Sequence, residues 1–220
     1  MTDPTSAAAG SAGTRERLLE AAARLFYEQG IQVGVDAICR AAGVSKKSLY
    51  QLFATKDELI AASVDRVGPA FGAALLPAAD DSRPPRERIL HVFERLEALE
   101  PEHDYRGCPL VATAIQAKSP DHPASTVARR HKDALTRFFE REARRAGAPE
   151  PVRLARQLTI VFDGASARSV MQARSLDGLA VATASAVLDI GGVPPSTGGV
   201  PAQKRASTAR RRRSATAKSV

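Results

Sequence analysis

The sequence predicts an all-α protein with an N-terminal three-helix helix-turn-helix domain and a larger helical domain, about nine helices in all. Apolar residues recur at spacings of three and four along most of the chain, which is typical of helices with one buried face. Helix-starting residues such as Ser and Thr precede several of these stretches, and Gly or Pro follows them. The predicted fold class rests on this periodicity together with the residues that start and end the helices.

Composition indicates a globular protein and excludes several classes. Of 220 residues, 44% are hydrophobic and 25% are charged. No apolar run approaches the roughly 18 residues of a membrane-spanning helix. The N-terminus lacks a basic start followed by an apolar block, so we expect no secretory signal and no membrane partner. Two cysteines are too few for a disulfide framework, and they fit a cytoplasmic location.

The net charge of +8 comes mainly from one end of the chain. Residues 191–220 hold seven basic residues and no acidic one, whereas the rest of the chain has 25 basic and 24 acidic residues. Gly, Pro and Ser precede the basic cluster, so 191–220 is predicted to be a disordered basic tail. Such a tail either attracts phosphate regardless of base sequence or serves solubility alone. Residues 1–13 are predicted to be a disordered arm because they lack large apolar side chains.

The first two helices of the segment 14–60 have clear ends. Thr14 is the predicted N-cap of the first helix, and Gly30 is its predicted left-handed end. The second helix covers 35–42 and stops at Gly43. The apolar face of the first helix is formed by Leu18, Leu19, Ala22, Leu25 and Phe26.

A third helix follows directly, with Ser45 as its predicted N-cap. Gly43 allows a tight turn between the second and third helices, and this arrangement is typical of a helix-turn-helix. If Leu49 anchors the third helix, its other face can enter the major groove of DNA, where Gln can read base edges and Lys or Tyr can bind phosphate. The predicted DNA-binding residues, including one in the next helix, are Ser45, Lys46, Lys47, Ser48, Tyr50, Gln51 and Lys56.

The fourth helix starts in the run Thr55-Lys56-Asp57-Glu58, which has the pattern of a capping box. Pro69 is expected to end or kink this helix. The boundary between the helix-turn-helix domain, 14–60, and the larger domain, 61–190, is therefore predicted within it.

The run Thr14-Arg-Glu-Arg-Leu-Leu-Glu-Ala-Ala, the segment Ala41-Ala42-Gly43-Val44-Ser45-Lys46 and the later landmarks Leu49-Tyr50, Phe53 and Lys56-Asp57-Glu58-Leu59 closely resemble the DNA-binding domain of TetR/AcrR-family transcriptional regulators. The resemblance implies an all-helical homodimer that binds a palindromic operator, usually as a repressor. It also implies a small-molecule pocket in the C-terminal domain and a dimer interface made by the last two helices. One departure is Val33-Gly34, where the family often has Thr or Ser entering the second helix.

The larger domain is predicted to contain amphipathic helices at about 85–99, 108–118, 123–146, 151–174 and 176–190. Each pocket candidate in these helices could equally be plain core. The candidates for the ligand pocket are Phe93, Leu96, Leu110, Thr113, Gln116, Leu135, Phe138 and Phe139. The candidates for the dimer interface are Leu158, Phe162, Ala165, Leu179, Thr183 and Val187.

Cys108 is a possible redox-sensitive residue. It falls at the start of a predicted helix and near Arg106, and both features lower the pKa of a thiol and favour the reactive thiolate. A packed, unreactive thiol is the alternative. Cys39 is expected to be a small buried core residue.

An enzyme is not expected. The segment around Ser166 lacks the Gly two residues later that a nucleophile elbow requires, so no catalytic residue is assigned. The four histidines form no compact metal-binding pattern, and no cofactor is expected. The sequence therefore favours a repressor released from double-stranded DNA by an unknown small molecule. The alternative is a constitutive or weakly specific basic-tailed DNA-binding protein whose C-terminal domain only dimerises.

Overall fold

A computed structural model describes residues 4–99, 105–172 and 175–195. Within these ranges the chain is all-helical, as predicted. No helix among them is both long and apolar enough to cross a membrane. The helices are α1 (Pro4–Gln29), α2 (Val35–Ala42), α3 (Lys46–Leu52), α4 (Lys56–Leu75), α5 (Pro85–Leu99), α6 (Pro109–Ala117), α7 (Pro123–Arg145), α8 (Pro151–Gln172) and α9 (Leu179–Ile190).

Local capping in the N-terminal unit follows the sequence. Gly43 adopts the left-handed conformation, with φ of +63°, and ends α2. The Ser45 hydroxyl accepts a hydrogen bond from the Ser48 N–H at 3.0 Å, which confirms the predicted cap of α3. The Thr55 hydroxyl accepts from the Glu58 N–H at 3.1 Å. Each bond satisfies a backbone donor that a helix start leaves without an intrahelical acceptor.

Two hydrophobic clusters divide the chain. The N-terminal cluster joins α1, α2, α3 and the start of α4, and it includes the fully buried Leu18, Ile38 and Leu49. The second cluster runs from Val64 to Val193. The buried residues of α4 belong to the first cluster up to Ala61 and to the second from Val64.

Of the two expectations for Pro69, that it ends α4 or kinks it, the first is wrong. The helix continues through Pro69 to Leu75, although proline cannot donate the backbone hydrogen bond of a helix interior. The part of α4 beyond Pro69 packs on the larger domain, where Leu75 is buried in the second cluster. Tertiary packing therefore outweighs the local preference of proline.

The core of the larger domain is aromatic at its centre. The Phe93 and Phe139 rings stack with centroids 5.8 Å apart and planes 11° from parallel. Phe162 meets Phe93 edge-on at 6.4 Å. All three side chains are fully buried, so they fix the mutual positions of α5, α7 and α8.

The predicted bounds of the two disordered ends are wrong, because the described part of each end belongs to the folded structure. Helix α1 begins at Pro4 rather than at Thr14, because residues 7–9 are alanine, the best helix former, and proline suits a first helical position. At the other end, Val193 is buried. Its carbonyl accepts a hydrogen bond from the buried Arg86 guanidinium, so the folded body extends past residue 191. The basic cluster of the predicted tail lies outside the described residues.

Candidate nucleic-acid interface

Helix α3 is anchored on one face and open on the other. Leu49 is fully buried, and Phe53, the C-cap, is 1% exposed. The remaining face carries most of the predicted DNA-binding residues at its surface. Its exposed side chains, which we call the α3 face, are Lys46, Lys47, Tyr50 and Gln51.

Ser45 and Ser48 form hydrogen bonds within the start of α3 and are also accessible at the surface. Their hydroxyl oxygens lie 2.9 Å apart, and Ser45 also caps the helix. Ser48 is half-buried. Their mutual contact uses one of the two hydroxyl protons, so the pair retains one proton to donate to a DNA phosphate.

Lys46 is held beside the start of α2. Its Nζ lies 2.9 Å from Asp36 Oδ1 and donates to Oδ2 at 3.2 Å. The hydrogen bond to Asp36 raises the pKa of Lys46. Because both side chains are exposed, water and salt weaken the pair. A DNA phosphate must therefore compete with Asp36 for this ammonium, a restraint that sequence spacing did not predict.

Helix α2 has no side-chain cap. Gly34 is its N-cap residue, and no side chain accepts from the first N–H groups of the helix. The chain has Val33 and Gly34 before this helix, so it lacks the Thr or Ser hydroxyl noted in the Sequence analysis.

The half-buried Lys56 begins α4, and its neighbours tie this point to the larger domain. Glu58 accepts from the Ala54 N–H at 2.8 Å. His122 Nε2 lies 3.3 Å from Asp57 Oδ1, while its Nδ1 accepts from the Ala124 N–H at 3.1 Å. The N-terminus of α7 is thereby linked to the N-terminus of α4.

Further polar contacts cross between α1 and the larger domain. The Tyr27 hydroxyl donates to the Gly107 carbonyl at 3.0 Å and accepts from the Arg106 N–H at 2.7 Å. The Ile31 N–H donates to Gln116 Oε1 at 2.9 Å. These partners are about 80 residues apart in the sequence, so no local pattern could have identified them. Gln116, predicted to line a ligand pocket, instead forms this interdomain bond.

Two cavities lie beside α4. The α1–α4–α6 cavity, of 420 Å³, includes Phe26 and Thr113 among its walls. The α4–α7 cavity, of 340 Å³, includes Leu110 and Leu135. Three predicted pocket residues therefore face cavities.

Four other pocket candidates do not line a cavity beside α4. Contrary to the prediction, neither cavity is lined by Phe93, Leu96, Phe138 or Phe139, which pack among other buried side chains of the second cluster. The sequence periodicity correctly predicted that these side chains are buried, but it could not show whether they face other side chains or a ligand cavity.

Cys108 differs from the prediction in its electrostatics. It is the N-cap residue of α6, but the thiol is buried. Burial raises the pKa of Cys108, and Lys132 offsets this only in part. The predicted lowering of the pKa is therefore wrong, because desolvation exceeds the nearby positive charge. Cys39 is buried in the first cluster, as expected.

The predicted dimer-interface residues divide into two groups. Leu158 and Phe162 are fully buried within the chain, so they cannot contact a second chain and this part of the prediction is wrong. Leu179 and Thr183 are exposed, and Ala165 and Val187 are half-buried. Helices α8 and α9 also expose Ile190, which the sequence placed on the last helix, and two large apolar residues that sequence analysis did not identify, Ile160 and Met171.

Comparison with known proteins identifies the N-terminal unit and the fold. Residues 18–63 match the family described as bacterial regulatory proteins, tetR family. A crystal structure assigned as a TetR transcriptional regulator, from Streptomyces avermitilis, is 54% identical, with a TM-score of 0.79 over 82% of this chain and 98% of that one. A TetR-family transcriptional regulator from Streptomyces coelicolor is 25% identical, with a TM-score of 0.74 over 82% and 96%.

A third similarity is restricted to part of the chain. An uncharacterized HTH-type transcriptional regulator of Mycobacterium tuberculosis is 34% identical over 76 residues. The match spans 34% of this chain and 38% of that protein.

The burial of Cys108 generates a test of its reactivity. At pH 8, alkylation of Cys108 by iodoacetamide is expected to be at least about tenfold slower than alkylation of free cysteine, because a raised pKa leaves little thiolate. The rate should rise with pH and reach the free-cysteine value in urea. Peptide mass spectrometry measures Cys108 and Cys39 separately. Native alkylation of Cys108 as fast as in urea would contradict its assigned environment.

Proposed function

Because the chain belongs to the TetR family of bacterial transcriptional regulators, we propose that it is a sequence-specific repressor that binds a palindromic operator as a homodimer in the cytoplasm. A small molecule releases it from the DNA. The observation that carries the proposal is the α3 face, where exposed polar and basic side chains stand on the buried Leu49 anchor.

The residues of the α3 face divide by chemistry. Lys46 and Lys47 supply positive charge to phosphates, with Lys46 exchanging Asp36 for the DNA backbone. The Tyr50 hydroxyl donates to a phosphate, and Lys56 contacts the flanking backbone from the start of α4. Gln51 reads a base edge in the major groove, most favourably adenine.

A homodimer accounts for the outer side of α8 and α9. Ile160 is 71% exposed, Met171 82% and Ile190 87%, and Leu179 lies on the same pair of helices. Apolar side chains grouped on adjacent helices are typical of a protein–protein contact. A two-fold axis there would give two copies of α3, each facing one half-site about 34–36 Å from the other.

Release by a small molecule requires that the molecule bind the DNA-free conformation more tightly than the DNA-bound one. The difference in affinity supplies the coupling, typically about 1–3 kcal/mol. Helix α4 joins Lys56 to the larger domain, and its packing on α1 and α7 supports it as the route of coupling.

The charge distribution supports a second candidate function. Residues 191–220 carry seven basic residues without an acidic one, and such a segment binds DNA without reading its sequence. In this alternative the tail supplies most of the affinity and the larger domain only dimerises.

Selection from a randomised duplex library distinguishes the two candidates. The full-length protein and a chain ending at Pro195 are each incubated with the library at moderate salt, and the bound duplexes are sequenced. The repressor proposal expects both proteins to enrich the same palindrome. No enrichment, together with loss of binding in the shorter chain, would contradict the repressor and favour the tail-dominated alternative.

Two substitutions on the α3 face are expected to differ in kind. Tyr50→Phe removes a phosphate hydrogen bond and should weaken all selected duplexes alike, by about three- to tenfold. Gln51→Ala should lose about 1–3 kcal/mol of discrimination at one base-pair position. Fluorescence anisotropy on single-base variants of the selected duplex measures both, with Arg137→Gln, an exposed α7 substitution, as the control. An unchanged base profile for Gln51→Ala would refute its reading role.

A further inference from the structure

The α1–α4–α6 cavity lies where the two hydrophobic clusters meet. Phe26 lines it and belongs to the cluster of the DNA-binding unit. Val64 also lines it and belongs to the cluster of the larger domain. Tyr27, whose hydroxyl bonds to the Arg106–Gly107 segment, forms part of the same wall. An occupant of this cavity therefore touches both units at once.

The walls of the cavity define a chemical class of ligand. Most of them are aliphatic or aromatic, with Phe26, Val67 and Phe71 as large members, and the volume of 420 Å³ suits a small organic molecule. Among the described residues that line the cavity, Arg24 is the one with a formal charge. Its guanidinium is largely exposed, and its ion pair with Glu28 is long, at 3.8 Å. It can therefore meet a ligand's negative end at the solvent side.

We propose that the α1–α4–α6 cavity is the effector site and that it takes an amphipathic anion, a molecule with an apolar body in the cavity and a carboxylate-like group at Arg24. The inference rests on the proposed function, since it assigns the place and the chemistry of the effector. It also differs from the sequence-based expectation of a pocket wholly inside the larger domain.

Direct contact with α1 gives this site a short route to the α3 face. The side of α1 that packs on α2 and α3 is continuous with Phe26, because all of these residues share one buried cluster. An occupant that moves α1 against α4 therefore moves α2 and α3 with it. The α4–α7 cavity does not touch α1, since its walls come from α4 from Gly68 onward, α6 and its N-cap, α7 and α8. An occupant there reaches α3 through α4 alone.

The test uses the full-length protein and decanoate as the probe. Binding of decanoate is measured by its displacement of the fluorescent dye 1-anilinonaphthalene-8-sulfonate. The uncharged analogue 1-decanol is measured in the same way. Two variants fill the cavity from different helices, Ala74→Phe from α4 and Ala112→Phe from α6. Ala70→Phe is the matched control, because Ala70 is exposed on the same helix as Ala74 and lies outside the walls of both cavities beside α4.

The proposal expects both filled variants to bind decanoate about tenfold or more weakly than wild type, since an added ring takes the place of ligand contacts. Ala70→Phe should bind as wild type does. Arg24→Gln should reduce the preference for decanoate over 1-decanol by about two- to fivefold, as for an exposed ion pair. Arg137→Gln should leave that preference unchanged.

Regulation is measured on the duplex selected above. Decanoate should weaken DNA binding by wild type and Ala70→Phe about fivefold or more, and should not affect the filled variants. Circular dichroism melting verifies that each variant folds. The Arg24→Gln comparison leaves the cavity unfilled, so it tests the site even if a filled variant does not fold.

Equal decanoate binding by wild type and both folded filled variants would overturn the site. Cavity binding that leaves DNA affinity unchanged would overturn its role as an effector site. Failure to select any duplex would instead contradict the proposed function, and it is distinguishable because the displacement measurement contains no DNA.

Discussion

Helix α4 contributes buried side chains to both hydrophobic clusters, and the arrangement of the DNA-binding unit depends on this shared membership. Leu59 and Ile60 pack with α1 and α2, whereas Val64 and Leu75 pack in the larger domain. The part of α4 before Pro69 is continuous helix, so Lys56 and Val64 cannot reorient independently. Any change in how α4 lies on α7 therefore bears on Lys56 and α3.

Polar contacts strengthen this constraint, one at the start of α4 and the others outside it. Gln116 accepts from the Ile31 N–H, Tyr27 bonds to the segment before α6, and His122 lies against Asp57. Each joins an element of the N-terminal unit to one of the larger domain. The two units are therefore connected by a continuous helix, by apolar contacts and by several hydrogen bonds. Such a contiguous network of contacts allows a ligand bound to one unit to influence the other.

Sequence reasoning succeeded where the physics is local. The caps at Ser45 and Thr55 and the left-handed Gly43 depend on neighbours a few residues away, and all were predictable. Periodicity also reported that Phe162 has an apolar environment. It could not report whether that environment is the same chain or another one, and Phe162 proved to be internal. The burial of Cys108, which reverses the direction of its pKa shift, likewise depends on tertiary packing.

Peptide-resolved hydrogen exchange of the full-length protein, with and without saturating decanoate, tests most directly whether the larger domain controls the DNA-binding unit through α1 and α4. If it does, exchange slows in the peptides that contain residues 23–27 and 63–74, where α1 and α4 line the cavity. We also predict altered exchange in α3, residues 46–52, which contribute nothing to its walls. Changes confined to α5–α9, or an unaltered α3, would contradict the account.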